Sequence, residues 1–234
     1  MIGARSDNTF TPIMKILLSL LLALVPCFAC VAQTHHAQWN AAIEAFESSD
    51  RVSPPPPHAV LFIGSSSIEH WKSVVADFPE VNVINRGFGG SELSDSTYFA
   101  DRIIKPYQPR AIVLYAGDND LYDGHTPQQV RDDFAAFVNK VRSFDPGVAI
   151  AFVAIKPSMA RKALLPKIKQ ANGLVHDYAA TQKNVAYIDV FTPMLAADGQ
   201  PQPKWFIEDE LHMNRTGYEL WISLLRPWVD AHGR

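Results

Sequence analysis

Cysteine is nearly missing from this 234-residue chain, which has only Cys27 and Cys30. Both lie in "KILLSLLLALVPCFACVAQ", a stretch that starts at Lys15, runs through an apolar core and ends in small residues. Cys30-Val31-Ala32 before Gln33 fits a small-x-small cleavage site, so residues 1–32 are expected to be a secretory signal peptide. The stretch "MIGARSDNTFTPI" before Met14 then looks like an over-called start, because "MKILL" begins such a peptide better. Cleavage after Ala32 leaves no cysteine. That excludes a disulfide, a thiolate nucleophile and a Cys-bound zinc, and leaves stability to the core alone. A lipoprotein anchor at Cys27 or Cys30 is the rival reading, against which the residues before each cysteine match a lipobox poorly.

An excess of one charge is missing too. Lys and Arg number 21, Asp and Glu 24, and the formal net charge is -3. Removing Arg5, Asp7 and Lys15 with the leader takes away one net positive charge and leaves -4. With no basic block, nucleic acid is not expected as a partner. No run of like charge suggests a disordered arm. The apolar stretch is too short and too Pro-broken for a comfortable spanning helix, so the mature chain is expected to have no transmembrane segment. Oligomeric state leaves no mark in the sequence. His35, His36, His58, His70, His125, His176 and His232 form no helical metal pair, and no carboxylate-rich cluster goes with them. No metal and no other cofactor is therefore expected.

Apolar runs of strand length are abundant by contrast. They are "AVLFI" (59–63), "VNVI" (81–84), "AIVLY" (111–115), "VAIAFVAI" (148–155) and "VAYIDV" (185–190). They are rich in Val and Ile and mostly continuous, which suits strands buried on both faces of a parallel sheet. Helical spacing separates them. Trp39, Ala42, Ile43 and Phe46 mark a short amphipathic helix before Pro54 to Pro57, a stiff polyproline II connector. Thr126, Pro127 and Gln129 open a helix that carries Val130, Phe134, Phe137, Val138 and Val141 inward. A further helix runs from Pro166 through Ile168, Ala171, Val175 and Tyr178, and the last holds Tyr218, Trp221, Ile222 and Leu225. Strands alternating with helices predict a single three-layer α/β/α domain with a five-stranded, mainly parallel, flavodoxin-like sheet. Ligands of such sheets bind beyond the carboxyl ends of the strands, so the loops there should carry the chemistry.

Those loops are Gly64-Ser65-Ser66-Ser67 after the first strand, Asn85 to Ser91 ("NRGFGGS") after the second, and Ala116 to Asp120 ("AGDND") after the third. "DELH", Asp209 to His212, precedes the last helix. Singly, each has an ordinary explanation: a helix cap, a turn with positive φ, an Asx-turn, a solvated face. Together they supply what acyl transfer needs. There is a hydroxyl nucleophile, an imidazole base, a carboxylate to orient it, a bare backbone N–H and a carboxamide N–H.

The set and its chain order resemble the SGNH (GDSL-like) hydrolase family, over roughly Ala59 to Trp228. The matching blocks are "GSS" (64–66), "NRGFGG" (85–90), "GDND" (117–120) and "DELH" (209–212). The resemblance implies an SGNH-type fold, with residues 33–57 as an N-terminal helix and connector and 58–234 as the catalytic domain. It implies Ser66 as nucleophile and His212 as general base oriented by Asp209. The implied oxyanion donors are the backbone N–H groups of Ser66 and Gly90 and the side chain of Asn119. Ser67 would cap the following helix and Asp120 would hold the Asn119 loop. Ser65 departs from the family, which usually has Asp there. The signature G-x-S-x-G of another hydrolase fold is missing, because Ile68 fills its last place. Trp205 and Phe206 are candidates for shaping the substrate pocket or belong to the core.

The expected function is thus an exported, secreted or periplasmic, serine esterase. Its substrates would be acyl esters, short-chain and carried on small molecules or carbohydrates. A lysophospholipase, a thioesterase or an acyltransferase would use the same residues. A non-catalytic glycan-binding module is the reading from another class. The intact set argues against it, since a pure binder has no use for one.

Overall fold

The structure is a computed structural model that describes residues 35–233. The expected leader, its cleavage site, Cys27 and Cys30 lie outside the described residues. The chain separates into two units, Met1–Gln38 and Trp39–Arg234, and everything below concerns the second.

Five strands form one sheet: β1 (Val60–Gly64), β2 (Val83–Gly87), β3 (Ala111–Tyr115), β4 (Ala149–Val153) and β5 (Val185–Ile188), in the order β2-β1-β3-β4-β5. All four pairings are parallel, with Val60 beside Val83 and Ala111, Ala111 beside Ala149, and Ile150 beside Val185. Every residue of β1 and β3 is buried, as continuous Val/Ile runs covered on both faces require. Helices cover both faces of the sheet. The chain leaves β1 for β2 on one side and then crosses to β3 on the other. The ends of β1 and β3 therefore open on the crevice where the strand order reverses, the position at which open α/β sheets bind ligands.

The helices that position the site are α1 (Asn40–Val52), α2 (Ser66–Glu69), α3 (Leu93–Tyr98), α4 (Asp118–Tyr122), α5 (Pro127–Arg142), α6 (Leu165–Thr181) and α7 (Arg215–Gly233). The start of α5 follows its sequence signal. Thr126 Oγ1 accepts from the Gln129 N–H and Gln129 Oε1 accepts from the Thr126 N–H, at 3.2 and 2.8 Å. Val130, Phe134, Phe137, Val138 and Val141 are its buried face. α7 packs Trp221 against Tyr115, ring centroids 4.9 Å apart, and sends the Tyr218 hydroxyl to the Ser67 carbonyl at 3.0 Å. Those contacts fix the last helix, and the segment before it, to the ends of β3 and β1. Among the described residues, no helix is long and apolar enough to cross a membrane.

β4 and β5 end two residues before the apolar runs that predict them, and two further departures from the sequence reading lie nearer the site. β2 does not stop at Ile84 but runs through Asn85 and Arg86 to Gly87. As an edge strand it can carry polar side chains. Asn85 donates to the Ile68 carbonyl at 2.7 Å, and Arg86 reaches Tyr107 at 2.7 Å and pairs with Asp50 of α1. The α1 helix is also more than a leader to the proline run. It belongs to the same compact unit as the sheet, buries Ile43, and is clamped by Arg102 on Glu47 at 2.7 and 2.8 Å. Pro54 to Pro56 follow it without regular secondary structure.

Candidate active site

The corner after β1 is set by a glycine. Gly64 has φ +130°, a conformation that L side chains rarely adopt. The chain then turns so that the Ser65 N–H donates to the Tyr115 carbonyl at 2.9 Å and the Ser65 carbonyl accepts from Ile68 and Glu69. Ser65, in extended conformation, thus occupies the N-cap position of α2 and Ser66 is the first helical residue. This corrects the expectation that Ser67 caps the helix. Ser67 lies two positions past the cap, and its buried hydroxyl has no hydrogen-bond partner among the described residues.

Ser66 and "DELH" meet across 146 positions of sequence, with Ser66 Oγ 2.9 Å from His212 Nε2. His212 Nδ1 lies 2.6 Å from Asp209 Oδ2. The other carboxylate oxygen of Asp209 accepts the backbone N–H groups of Leu211 and His212, at 2.9 and 2.8 Å. Partial burial raises the Asp209 carboxyl. The hydrogen bonds from the His212 ring and from these two backbone groups outweigh it and bring the value down to about 2. Asp209 and His212 share a tight turn and not a helical turn. It closes through Glu210 at φ +59°, and the Glu210 carbonyl is held by the Ala160 N–H at 3.2 Å. The His70 ring lies against that of His212, centroids 4.4 Å apart.

Gly90 follows β2 with φ +80°, and a Cβ there would meet the Trp39 ring of the segment leading into α1 at 3.0 Å. Its neighbour Gly89 is also cramped, since a Cβ would lie 2.3 Å from Glu69 Oε2 and 3.8 Å from the Ser66 Cβ. Asn119 belongs to the first turn of α4, the helix that Gly117 opens at φ +103°. Asn119 Nδ2 donates to the Ser91 carbonyl at 3.0 Å, and Oδ1 accepts from Arg161 Nη2 at 2.9 Å. Asp120 accepts the Leu93 N–H at 3.1 Å, which ties the loop after β3 to the start of α3.

Behind Asn119 lies a buried ionic cluster. Arg161 Nη1 is 2.7 Å from Asp118 Oδ1, Lys156 Nζ is 3.0 Å from Asp118 Oδ2, and Lys156 also reaches the Tyr115 hydroxyl at 3.1 Å. Burial raises the Asp118 carboxyl, but Lys156 and Arg161 outweigh it and hold the carboxyl below its usual value. Burial lowers the Lys156 ammonium, and Asp118 and Tyr115 more than restore it. Burial pushes the Tyr115 phenol up to about 12. Sequence reasoning missed Lys156 and Arg161. They stand just past β4, on the strand-end edge where ligands of this fold bind, but a lone basic residue in a loop carries no signal of its own.

The remaining sequence candidates sit elsewhere. Phe206 is buried among the core residues and bridges to Met213, and Trp205 packs against the same core while its indole donates to the Met194 carbonyl at 3.2 Å. One expectation is corrected outright, because His125 does have carboxylate company. Asp120, His125 and Asp133, from α4, the loop after it and α5, offer ligand atoms within 4.8 Å of one another. A cation could be held there. They were hidden in the sequence because the chain must turn between two helices to bring them together.

A family model described as the GDSL-like Lipase/Acylhydrolase family matches residues 55–220. No curated protein matches the chain. Solved structures share its fold. A GDSL-like lipase from Bacteroides thetaiotaomicron has a TM-score of 0.70 at 18% identity, covering 81% of this chain and 97% of that one. A lipase/acylhydrolase from Enterococcus faecalis has a TM-score of 0.61 at 18% identity, covering 75% and 97%. A catalytic mutant of an acetylxylan esterase from Geobacillus stearothermophilus has a TM-score of 0.60 at 15% identity, covering 74% and 93%.

Proposed function

The chain belongs to the GDSL-like lipase/acylhydrolase family, and on that footing we propose that it is an exported serine esterase that hydrolyses short-chain acyl esters carried on carbohydrates. The observation that carries the reading is the unbroken line from Ser66 Oγ to His212 Nε2 at 2.9 Å and from His212 Nδ1 to Asp209 at 2.6 Å. His212 takes the Ser66 proton as Oγ attacks the ester carbonyl carbon. Asp209 holds the imidazole in the tautomer whose Nε2 is free to accept, and stabilises the imidazolium that forms. The carbonyl oxygen becomes an oxyanion, for which the N–H groups of Ser66, Gly90 and the Asn119 side chain are the donors. His212 returns its proton to the departing alcohol, and the acyl group stays on Ser66. Water, deprotonated by His212, then attacks the acyl-enzyme, and as the bond to Ser66 Oγ breaks and the acid leaves, His212 returns that proton to Oγ.

Export rests on the apolar leader that ends at Ala32. The polar surroundings of the nucleophile support an alcohol part rich in hydroxyls. Glu69 and His70 are partly exposed beside the serine corner and can exchange hydrogen bonds with a sugar. A fold neighbour named as an acetylxylan esterase fits short acyl groups on such an alcohol. The test is turnover of p-nitrophenyl esters of increasing chain length and of acetylated sugars by the chain from Gln33 onward, with Ser66→Ala as the control. Fastest hydrolysis of acetyl esters, lost in the variant, is expected. Release from long acyl chains alone would refute the short-chain reading, and undiminished turnover by Ser66→Ala would refute the serine mechanism.

A further inference from the structure

We infer that Arg161 is a positioning residue for the oxyanion hole, fixing which way the Asn119 carboxamide points and polarising its N–H. This rests on the esterase reading for its effect on rate. A carboxamide has nearly the same shape when turned over, yet its two ends have opposite hydrogen-bonding character, so packing alone cannot orient it. Here the surroundings can. Oδ1 accepts from Arg161 Nη2 at 2.9 Å and Nδ2 donates to the Ser91 carbonyl at 3.0 Å. Turned over, the amide would set its NH2 group against a guanidinium that has no acceptor, and its oxygen against a carbonyl oxygen. Both contacts would be repulsive. In the observed orientation one Nδ2 hydrogen is spent on Ser91 and the second is left for a substrate oxygen.

Arg161 is well placed to impose this. It is 9% exposed. One arm of its guanidinium meets Asp118 at 2.7 Å, and its Cζ lies over the Tyr122 ring, 4.6 Å from the centroid. The planar fork can hold Asp118 and Asn119 at once, which a lysine could not do with the same rigidity. Charge adds a second effect. Arg161 and Lys156 share the one carboxylate of Asp118, so the cluster keeps one unit of positive charge, and Arg161 brings it to the back of the amide. A cation on Oδ1 draws electron density from the amide and makes Nδ2–H a better donor to a developing oxyanion. Fixed charge in a water-poor site costs no reorganisation at the moment of reaction.

A double-mutant cycle on p-nitrophenyl acetate hydrolysis tests this, with Arg161→Gln, Asn119→Ala and the pair together. Arg161→Gln should lower kcat about 10- to 100-fold while KM moves by less than about threefold, because the oxyanion exists only near the transition state. In the Asn119→Ala background the same change should cost less than about threefold, since there is no carboxamide left to orient. An equal loss in both backgrounds would overturn the inference. Arg161→Lys keeps the charge and loses the fork. It should recover part of the rate, and it takes the place of Arg161→Gln in the cycle if that variant does not fold. The second readout is the side-chain NH2 signal of Asn119 in a 15N-labelled protein. It should shift or broaden in Arg161→Gln, and an unchanged signal would also overturn the inference. Because that signal needs no turnover, a wild-type protein without esterase activity would sink the proposed function and leave the amide to decide the role of Arg161.

Discussion

A side-chain carbon on Gly64 would sit 1.9 Å from the carbonyl oxygen of Tyr115. The same carbonyl accepts the Ser65 N–H at 2.9 Å, so the ends of β1 and β3 are drawn together immediately before Ser66. No side chain can be admitted there without parting the two strands, and φ of +130° adds backbone strain for any other residue.

Gly64→Ala should therefore cost about 3 kcal/mol or more, a clash and a strained φ acting together. Gly124→Ala is the control. Gly124 has φ +101° but nothing within 4 Å of a Cβ, so it meets the strain without the clash. Urea denaturation of both variants checks this, and equal losses would show that the approach to Tyr115 does not matter.

The three serines should separate cleanly. A fluorophosphonate should label Ser66 and lose its target in Ser66→Ala, which recovery of the labelled peptide after digestion would establish. Ser65→Ala should retain most activity, because its side chain makes no cap hydrogen bond. Ser67→Ala should be within about 1 kcal/mol of wild type or more stable, since it removes a buried hydroxyl that has no partner among the described residues. Label on Ser65 or Ser67 would move the nucleophile off Ser66.

Asp209→Asn should leave the fold intact and reduce kcat by roughly 10³–10⁴, the scale on which a mis-set imidazole tautomer costs a serine hydrolase. The Asp209 carboxyl lies at about 2, so it stays ionised across the whole range in which an esterase is assayed. Its loss should accordingly lower the plateau of the pH profile at every neutral and alkaline pH. A variant that matched wild type at alkaline pH would show that the carboxylate does not orient His212.

Asp120 predicts a pH dependence of stability. Burial raises its carboxyl to about 7, with the Leu93 N–H opposing and the charges of Glu92 and Asp133 adding to the rise. A folded value above the unfolded one, near 3.9, means that the native state holds an extra proton between the two. That contribution is fully present below about pH 4 and is lost as pH rises through about 7. The wild-type melting temperature should fall more than that of Asp120→Asn between about pH 5 and pH 8, with Glu92, His125 and Asp133 common to both proteins. Parallel curves would mean that the Asp120 carboxyl is not held in its neutral form.

What could be read from the sequence was local. Continuous Val and Ile gave parallel strands, fully buried in β1 and β3 but only half-buried in the edge strand β5, and the Thr126-Pro127-Gln129 signal gave a helix start that the structure reproduces down to both hydrogen bonds. The edge strand β2 was read too short, because Asn85 and Arg86 look like loop residues until α1 and the Trp71 segment supply their partners. The blocks carrying Ser66, Asn119, Asp209 and His212 could be named from their order, since residue type and position on a strand end are properties of the sequence. Their distances could not. Ser66 and His212 meet across 146 positions only because Tyr218 and Trp221 dock α7 on the ends of β1 and β3. Arg161 meets Asn119 across 42, through a loop beyond β4 whose course no local pattern encodes. Periodicity and turn chemistry act between near neighbours and are written in the order of residues. The orientation of a carboxamide, the value of a buried carboxyl and the partners of a lone arginine depend on which distant groups packing brings within a few ångströms, and the tertiary structure alone decides that.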